Sequence, residues 1–197
     1  MELRNEKIVL RDPIESDIDD RIRWETAQTE WLEWDAPWET EEKPFVPEDY
    51  RRDMKRALSA KEDPNRFRYG FQICTNDASE RHIGWINAYR ISDTYCYTHG
   101  EGKLTIGIDI PDESSRRKGY ATEAWALYIS YLLRQGIDNV YTQTWSGNHR
   151  VLGLINKLGF EECDRRTDFR RVRGTLYDGL TFRLNLERFN HFWDSKR

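Results

Sequence analysis

From Leu104 to Ile110 the residues alternate, with Leu104, Ile106, Ile108 and Ile110 on one side and Thr105, Gly107 and Asp109 on the other. A period of two belongs to a half-buried β-strand. Pro111 ends it, because proline has no N–H to give to a ladder. From Gly119 or Tyr120 the spacing changes to that of a helix, with Ala121, Trp125, Tyr128, Ile129, Leu132 and Leu133 on its apolar side. Between the two lie Arg116, Arg117, Lys118 and Gly119. A strand, a basic turn and a long helix in direct succession demand an architecture that combines sheet and helix. A helix N-terminus also carries unpaired N–H groups and the positive end of its dipole, so this turn outlines a phosphate cradle. It is not a P-loop, since no second glycine and no GK[ST] accompany Gly119, and it fills only one of the three glycine positions of a dinucleotide fingerprint.

The remaining chain gives a mixed order of elements. Ile8 to Asp12 reads as a strand stopped by Pro13, followed by a helix with Ile14, Ile18, Ile22 and Trp24 on its apolar side and Asp12 or Ser16 as its cap. Trp24, Trp31, Trp34 and Trp38 then stand among Glu25, Glu30, Glu33, Asp35, Glu39, Glu41 and Glu42. Pro47 starts another helix through Tyr50, Met54, Ala57 and Leu58, and Lys61 to Arg66 is a polar loop broken by Pro64. Arg68–Cys74 and His82–Ile91 form a hairpin around Asn76-Asp77, and Ser92 to Gly102 is a loop. Gly136 closes the long helix. A strand from Asn139 to Trp145, a short helix from Asn148 to Gly159, and two strands pairing around Gly174 complete the chain. The expected fold is α/β (α+β), a single domain over residues 1–197, with a mixed, mostly antiparallel sheet of about six to seven strands and helices on both faces.

Charge and cysteine content narrow the function. The 197 residues carry 31 basic and 35 acidic side chains, a formal net charge of −4, which argues against general nucleic-acid binding. No apolar run reaches membrane-spanning length and Met1 is followed by charged residues, so neither a membrane anchor nor a signal peptide is expected. Cys74, Cys96 and Cys163 lack metal-ligand spacing and read as reduced thiols of a cytoplasmic protein, with no metal site.

Arg116-Arg117-Lys118-Gly119-Tyr120-Ala121 followed by Thr122-Glu123-Ala124 resembles the R-x-x-G-x-A signature of the GNAT superfamily of acetyl-CoA-dependent N-acetyltransferases. Asn148 and the Lys157-Leu158-Gly159-Phe160 segment resemble the family's second motif at matching spacing. The likeness runs from about Gly84 to Phe160 and is closest to the Rim-type branch, which acetylates ribosomal-protein N-termini and related amines. It implies acetyl-CoA as co-substrate. Main-chain groups of Ile108 and Ile110 would pair with the pantetheine arm. The N–H groups of Arg117, Lys118, Gly119, Tyr120, Ala121 and Thr122 would hold the pyrophosphate, with Arg116 and Arg117 adding charge-assisted bonds and Asn148 anchoring the cofactor from the opposite side. The Tyr120 side chain is read as packing.

The resemblance also exposes departures. The family's frequent glutamate on the central strand is Thr105 here, which cannot act as a base near neutral pH. Asp109 lies two positions further along the same face, four residues along the chain, and is the candidate base, with Glu101 in reserve. The tyrosine or serine that serves as acid in relatives corresponds to Ile155 and Val151, both apolar, leaving water, the amine itself, Ser146 or His149. The acidic, tryptophan-rich span suits a cationic amine, since carboxylates and indole faces both attract ammonium groups. Trp31, Glu33, Trp34, Asp35 and Trp85 are the candidate acceptor-binding residues. Core packing and a solvated acidic face are the plain alternative for them. Arg165, Arg166, Arg170, Arg171 and Arg173 read as a charged edge strand that resists aggregation. Direct transfer from acetyl-CoA to a primary amine is the expected reaction, a non-catalytic acyl-CoA-binding module is the rival, and exposed tryptophans suggest a homodimer.

Overall fold

The computed structural model describes residues 1–38, 44–60, 63 and 65–195. Its strands are β1 (Glu2–Arg4), β2 (Ile8–Arg11), β3 (Gly70–Thr75), β4 (His82–Ile91), β5 (Tyr97–Thr98), β6 (Lys103–Asp109), β7 (Val140–Trp145), β8 (Phe160–Val172) and β9 (Thr175–Leu184). Five helices flank the sheet among the described residues: α1 (Asp17–Thr26), α2 (Pro47–Ser59), α3 (Tyr120–Arg134), α4 (His149–Lys157) and α5 (Leu186–Asp194). The strand order is β1-β2-β3-β4-β6-β7-β9-β8, with β5 beside β4. The sheet is mostly antiparallel, with β6 and β7 a parallel pair. Of the nine strands among the described residues, β1 has three residues and β5 two, too few for alternation to be read; the other seven are those expected.

The chain folds as two compact units, residues 1–86 with 109–120 and residues 87–108 with 121–197, and passes between them within β4, within β6 and at the first residue of α3. In the first unit, β1, β2 and β3 pair antiparallel, with Val9 opposite Cys74 and Leu10 opposite Ile73. Ile8, Val9, Leu10, Ile18, Phe71, Ile73 and Ile83 are buried there. Burying each such side chain contributes about 1.5–3 kcal/mol. A buried polar network ties these elements together. Arg11 holds both carboxylate oxygens of Asp17 at 2.7 Å, and His82 Nδ1 stands 3.0 Å from Asp20 and 3.4 Å from Asp17.

In the second unit, α3 buries Ala124, Trp125, Ala126, Leu127, Tyr128, Ile129, Tyr131 and Leu132. A helix apolar on so many sides belongs inside a structure. Its end at Gly136 has the expected αL geometry (φ 77°), with Ile137 N–H bonded to the Leu132 carbonyl. β8 and β9 form a long hairpin closed by the two-residue turn Arg173-Gly174, and β8 is the outer strand.

Three expectations are corrected. Ser16 occupies the N-cap of α1 without a side-chain bond, and Asp12 is engaged by Arg68 instead; it is Asp17 Oδ2 that accepts the Ile14 N–H, at 2.8 Å. Ile14 is exposed rather than part of the apolar side of α1. The last strand stops at Leu184, and Asn185 caps α5, accepting the Arg188 N–H at 3.1 Å. Glu39, Glu41 and Glu42 of the acidic span, and Lys61 and Pro64 of the polar loop, lie outside the described residues.

One close approach positions the carboxylate discussed below. A Cβ built on Gly84 of β4 would stand 2.0 Å from the carbonyl oxygen of Asp109 and 3.0 Å from Ile110 Cα. Both neighbours are backbone, which yields little. Gly84→Ala is expected to cost about 1–3 kcal/mol, read as a lower urea midpoint; an unchanged midpoint contradicts this contact.

Candidate functional site

The basic turn between β6 and α3 is held in a tight, irregular conformation. The single-turn 3-10 segment Glu113–Ser115 precedes it, pinned by Arg81, which pairs with Asp112 and donates to Ser115 Oγ at 3.0 Å. Arg117 then takes φ 61° and Gly119 φ 84°, and Tyr120 opens α3. With Arg116 extended and Arg117 and Gly119 both left-handed, the main chain turns sharply just before the helix, and successive N–H groups exposed in such a turn can form a concave nest for an anion. A non-glycine residue in this region is strained, and such strain gathers at ligand sites. None of the N–H groups of Arg117, Lys118 and Gly119 meets a backbone acceptor among the described residues. Arg117 and Lys118 are exposed, and Lys7 brings its Nζ to 3.9 Å from where a Cβ on Gly119 would stand. Lys7 comes from the turn between β1 and β2, a neighbour that spacing along the chain does not reveal.

Arg116 takes a different part. Its Nε donates to the Ile110 carbonyl at 3.2 Å, its Nη2 to the Pro111 carbonyl at 3.0 Å, and its Nη1 pairs with Glu30. The guanidinium thus braces the start of the turn, and the cationic side chains that face outward are Arg117 and Lys118. Tyr120 and Ala121 are half-buried and Thr122 is buried in the first turn of α3, where helical geometry leaves main-chain N–H groups without intrahelical partners.

In the second unit the parallel ladder between β6 and β7 covers only Leu104↔Val140 and Thr105↔Tyr141. Beyond it, the Thr142 hydroxyl closes the Ile106 carbonyl at 2.9 Å. By the two-residue period, Ile108 and Ile110 present main-chain groups to the same edge of β6 as Ile106. Ile108 does so past the end of the ladder, and the Ile110 carbonyl is shared with Arg116. Asn148 is buried and serves as the N-cap of α4, its Oδ1 accepting the Val151 N–H at 3.3 Å, which leaves its NH2 as a donor.

Asp109, at the end of β6, is half-buried in the first unit. The Trp85 indole N–H donates to its carboxyl group. Burial pushes this carboxyl well above the usual carboxylate range, and the negative charges of Asp35 and Glu25 push the same way. The Arg21 guanidinium and the Trp85 bond oppose them. The surroundings are aromatic. Trp24, Trp31 and Trp85 form a buried cluster with Leu32 against it, the Trp31–Trp85 rings meeting edge-on at 5.2 Å. Trp31 Nε1 donates to the Trp24 carbonyl at 2.9 Å. Trp34 is half-buried, donating to Glu30 at 2.8 Å, while Glu33 and Asp35 are exposed. Of the acceptor candidates, Trp31 and Trp85 are therefore core members, and Asp35 is the acid that acts on Asp109. Sequence reasoning missed Arg21, whose one signal was its helical spacing to Glu25, its partner at 2.7 Å.

The other candidates stand apart from this arrangement. Glu101 is exposed in the loop before β6, and the buried Thr105 hydroxyl donates to the Lys103 carbonyl at 3.4 Å. Ser146 extends the β7–β9 pairing by accepting the Asp178 N–H at 3.0 Å, and His149 is exposed. Val151 is half-buried and Ile155 buried in α4. Arg165 pairs with Glu162 and Asp178, Arg166 donates to the Thr94 carbonyl, and Arg171 donates to the Gly174 carbonyl, as a charged outer strand would. Cys74 is buried, its thiol pushed up to about 11 by burial, which makes it a poor nucleophile. Asp17, Asp20 and His82 place ligand atoms within 4.8 Å of one another, but Arg11 already holds both oxygens of Asp17, so they form a hydrogen-bonded polar network. Among the described residues, no helix is long and apolar enough to cross a membrane.

Comparisons with known proteins give the family and the fold. The sequence profile described as "Acetyltransferase (GNAT) domain" matches residues 7–161. No curated protein matches the sequence. Among solved structures, an acetyltransferase (GNAT family) from Bacillus anthracis is similar with a TM-score of 0.70 at 16% identity, covering 95% of this chain and 99% of that one. An acetyltransferase from Salmonella typhimurium, described as modifying the N-terminal serine of a 50S ribosomal subunit protein, is similar with a TM-score of 0.65 at 13% identity over 93% of this chain and 98% of that one. A chimeric spermidine N-acetyltransferase from Vibrio cholerae and hSSAT gives a TM-score of 0.62 at 14% identity, covering 93% and 98%.

Proposed function

The chain belongs to the acetyltransferase (GNAT) family, and from that premise we propose that it acts as one domain moving the acetyl group of acetyl-CoA to a cationic primary amine. The observation that carries the amine acceptor is Asp109: a carboxyl group at the end of the central strand, raised by burial and surrounded by further acids. A base raised in this way lies closer to the amine it must deprotonate, which is how general-base catalysis gains efficiency. A peptide amino terminus and a polyamine both fit an acidic, indole-walled surrounding.

Each residue then has a part. The nest at Arg117–Gly119 and the first turn of α3 hold the pyrophosphate, with Arg117, Lys118 and Lys7 supplying positive charge. The β6 edge at Ile108 pairs with the pantetheine arm, and the NH2 of Asn148 offers a further donor. Asp109 accepts a proton from the incoming ammonium. The neutral amine attacks the thioester carbonyl carbon, whose oxygen is polarised by a main-chain N–H of β6. The C–N bond forms, the C–S bond breaks, and the thiolate leaves to take a proton from water or from the amine nitrogen. No covalent enzyme intermediate is required.

This assignment is tested at the cofactor first. Arg117→Glu and Lys7→Glu each exchange an attraction to phosphate for a repulsion. A charge-assisted hydrogen bond contributes about 1.5–3 kcal/mol, so acetyl-CoA affinity measured by calorimetry is expected to fall about tenfold to a hundredfold in each. Equal affinity in both variants and the parent contradicts the nest as the pyrophosphate site.

A further inference from the structure

Arg21 has no part in the steps above, yet its surroundings are unusual. Its guanidinium carbon lies 3.6 Å from the centroid of the Trp85 ring and 5.5 Å from that of Trp31. The other end of the group is clamped by Glu25, one helical turn away on α1, at 2.7 Å. Trp85 in turn gives its indole N–H to Asp109, and β4 is held against Asp109 by the close approach at Gly84. Glu25, Arg21, Trp85 and Asp109 thus form a continuous chain of contacts within one compact unit.

We infer that Arg21 is a positioning residue for the base: stacked on Trp85 and clamped by Glu25, it fixes the indole whose N–H orients the Asp109 carboxylate, and it sets a positive charge beside that carboxylate. The inference rests on Asp109 as the base of the proposed transfer. Packing a guanidinium over a tryptophan face removes the ring's freedom to rotate away, and the ring position decides whether the N–H reaches Asp109.

The charges around Asp109 explain why a cation belongs there. Asp35 faces it from the segment after the 3-10 turn Thr29–Glu33, Glu25 and Arg21 from α1, and Trp85 from β4; Tyr50 of α2 faces Arg21 and Glu25. Burial, Asp35 and Glu25 all favour the protonated acid, and Arg21 is the opposing charge. Without it, three carboxyl groups share one partly desolvated region, and Asp109 keeps its proton to higher pH. A base must be ionised to work, so the rate rises with pH as Asp109 loses its proton, and removing Arg21 moves that rise upward.

Three variants separate this role from packing alone. Arg21→Gln removes the charge, Arg21→Lys keeps the charge but loses the planar stack, and Trp85→Phe keeps a ring but removes the N–H. Two readouts are needed: the carboxyl-carbon NMR titration of Asp109, assigned by its loss in Asp109→Asn, and the pH profile of kcat/KM for amine-dependent thiol release from acetyl-CoA. In Arg21→Gln both the titration and the rising limb are expected to move up by about one pH unit or more, as for loss of a nearby opposite charge. Arg21→Lys returns the limb toward its parent position. Trp85→Phe moves it upward and also lowers the plateau, because the carboxylate is no longer oriented. A folded Arg21→Gln protein whose titration and limb both coincide with the parent overturns the inference, and if that variant does not fold, an unmoved titration in Trp85→Phe does so. An Asp109 titration that follows Arg21 in a parent protein with no amine-dependent turnover upholds the electrostatic link and refutes the amine-transfer reading instead.

Discussion

Asp109→Asn is expected to slow amine-dependent acetyl transfer by about 10²–10⁴, the usual contribution of a positioned general base, while leaving acetyl-CoA affinity unchanged. The amide keeps the size of the carboxyl group and can still meet the Trp85 N–H through its oxygen, but it cannot accept a proton. The same variant carries a stability signature of the opposite sense. Asp109 in the folded chain is raised above its unfolded value, so between those two values the folded state binds more protons. Stability is therefore lost as pH rises through that window, and the penalty is fully present above the folded value. Asparagine does not ionise, so Asp109→Asn is expected to melt at a higher temperature than the parent at neutral and alkaline pH, with the difference closing in acid. Calorimetric melting at several pH values, beside initial rates, reads both effects. An active variant, or one that melts below the parent at alkaline pH, contradicts the assignment.

Asp17→Ala is expected to produce the largest loss of stability. Asp17 is 4% exposed, receives two bonds from Arg11 at 2.7 Å and one from the Ile14 N–H, and stands 3.4 Å from His82 Nδ1. Removing one partner of a buried ion pair leaves the other charge uncompensated, at a cost of about 3–5 kcal/mol. With a urea dependence of about 1–3 kcal/mol per molar, the unfolding midpoint falls by roughly 2 M. Asp17→Asn keeps an acceptor for Arg11 and Ile14 and is expected to lose less. A midpoint within about 0.3 M of the parent, a shift worth about 0.3–0.9 kcal/mol on that dependence, contradicts the network's structural role.

The features legible in the sequence were those with short-range causes. The alternation of Leu104 to Ile110, the stop at Pro111 and the helical spacing after Tyr120 define β6 and α3 almost to the residue. Asn76-Asp77 marked the β3–β4 turn, and Gly174 the β8–β9 turn. Asp109 was singled out by its place on the strand, but the indole, acids and guanidinium that surround it were not legible there. What escaped the sequence depends on distant parts of the chain meeting. Arg21, Trp85 and Asp109 stand far apart along the chain and come together only when α1, β4 and β6 fold. Lys7 reaches Gly119 across a similar gap, and Arg116 turns out to brace Ile110 and Pro111 because their carbonyls lie beside it. For α5 the signal was present but unread: Asn185 is a good cap, and Phe189 and Trp193 stand one helical turn apart, their rings stacked at 6.2 Å.

Transfer itself is measured most directly by free thiol release from acetyl-CoA with the 197-residue chain and a panel of primary amines, including a serine-initiated peptide and a polyamine, with mass spectrometry of the acceptor. Thiol release is expected to require an amine and to be matched in amount by the acetylated amine. Tight acetyl-CoA binding with no amine-dependent thiol release across the panel would contradict it and leave a protein that holds the thioester without spending it.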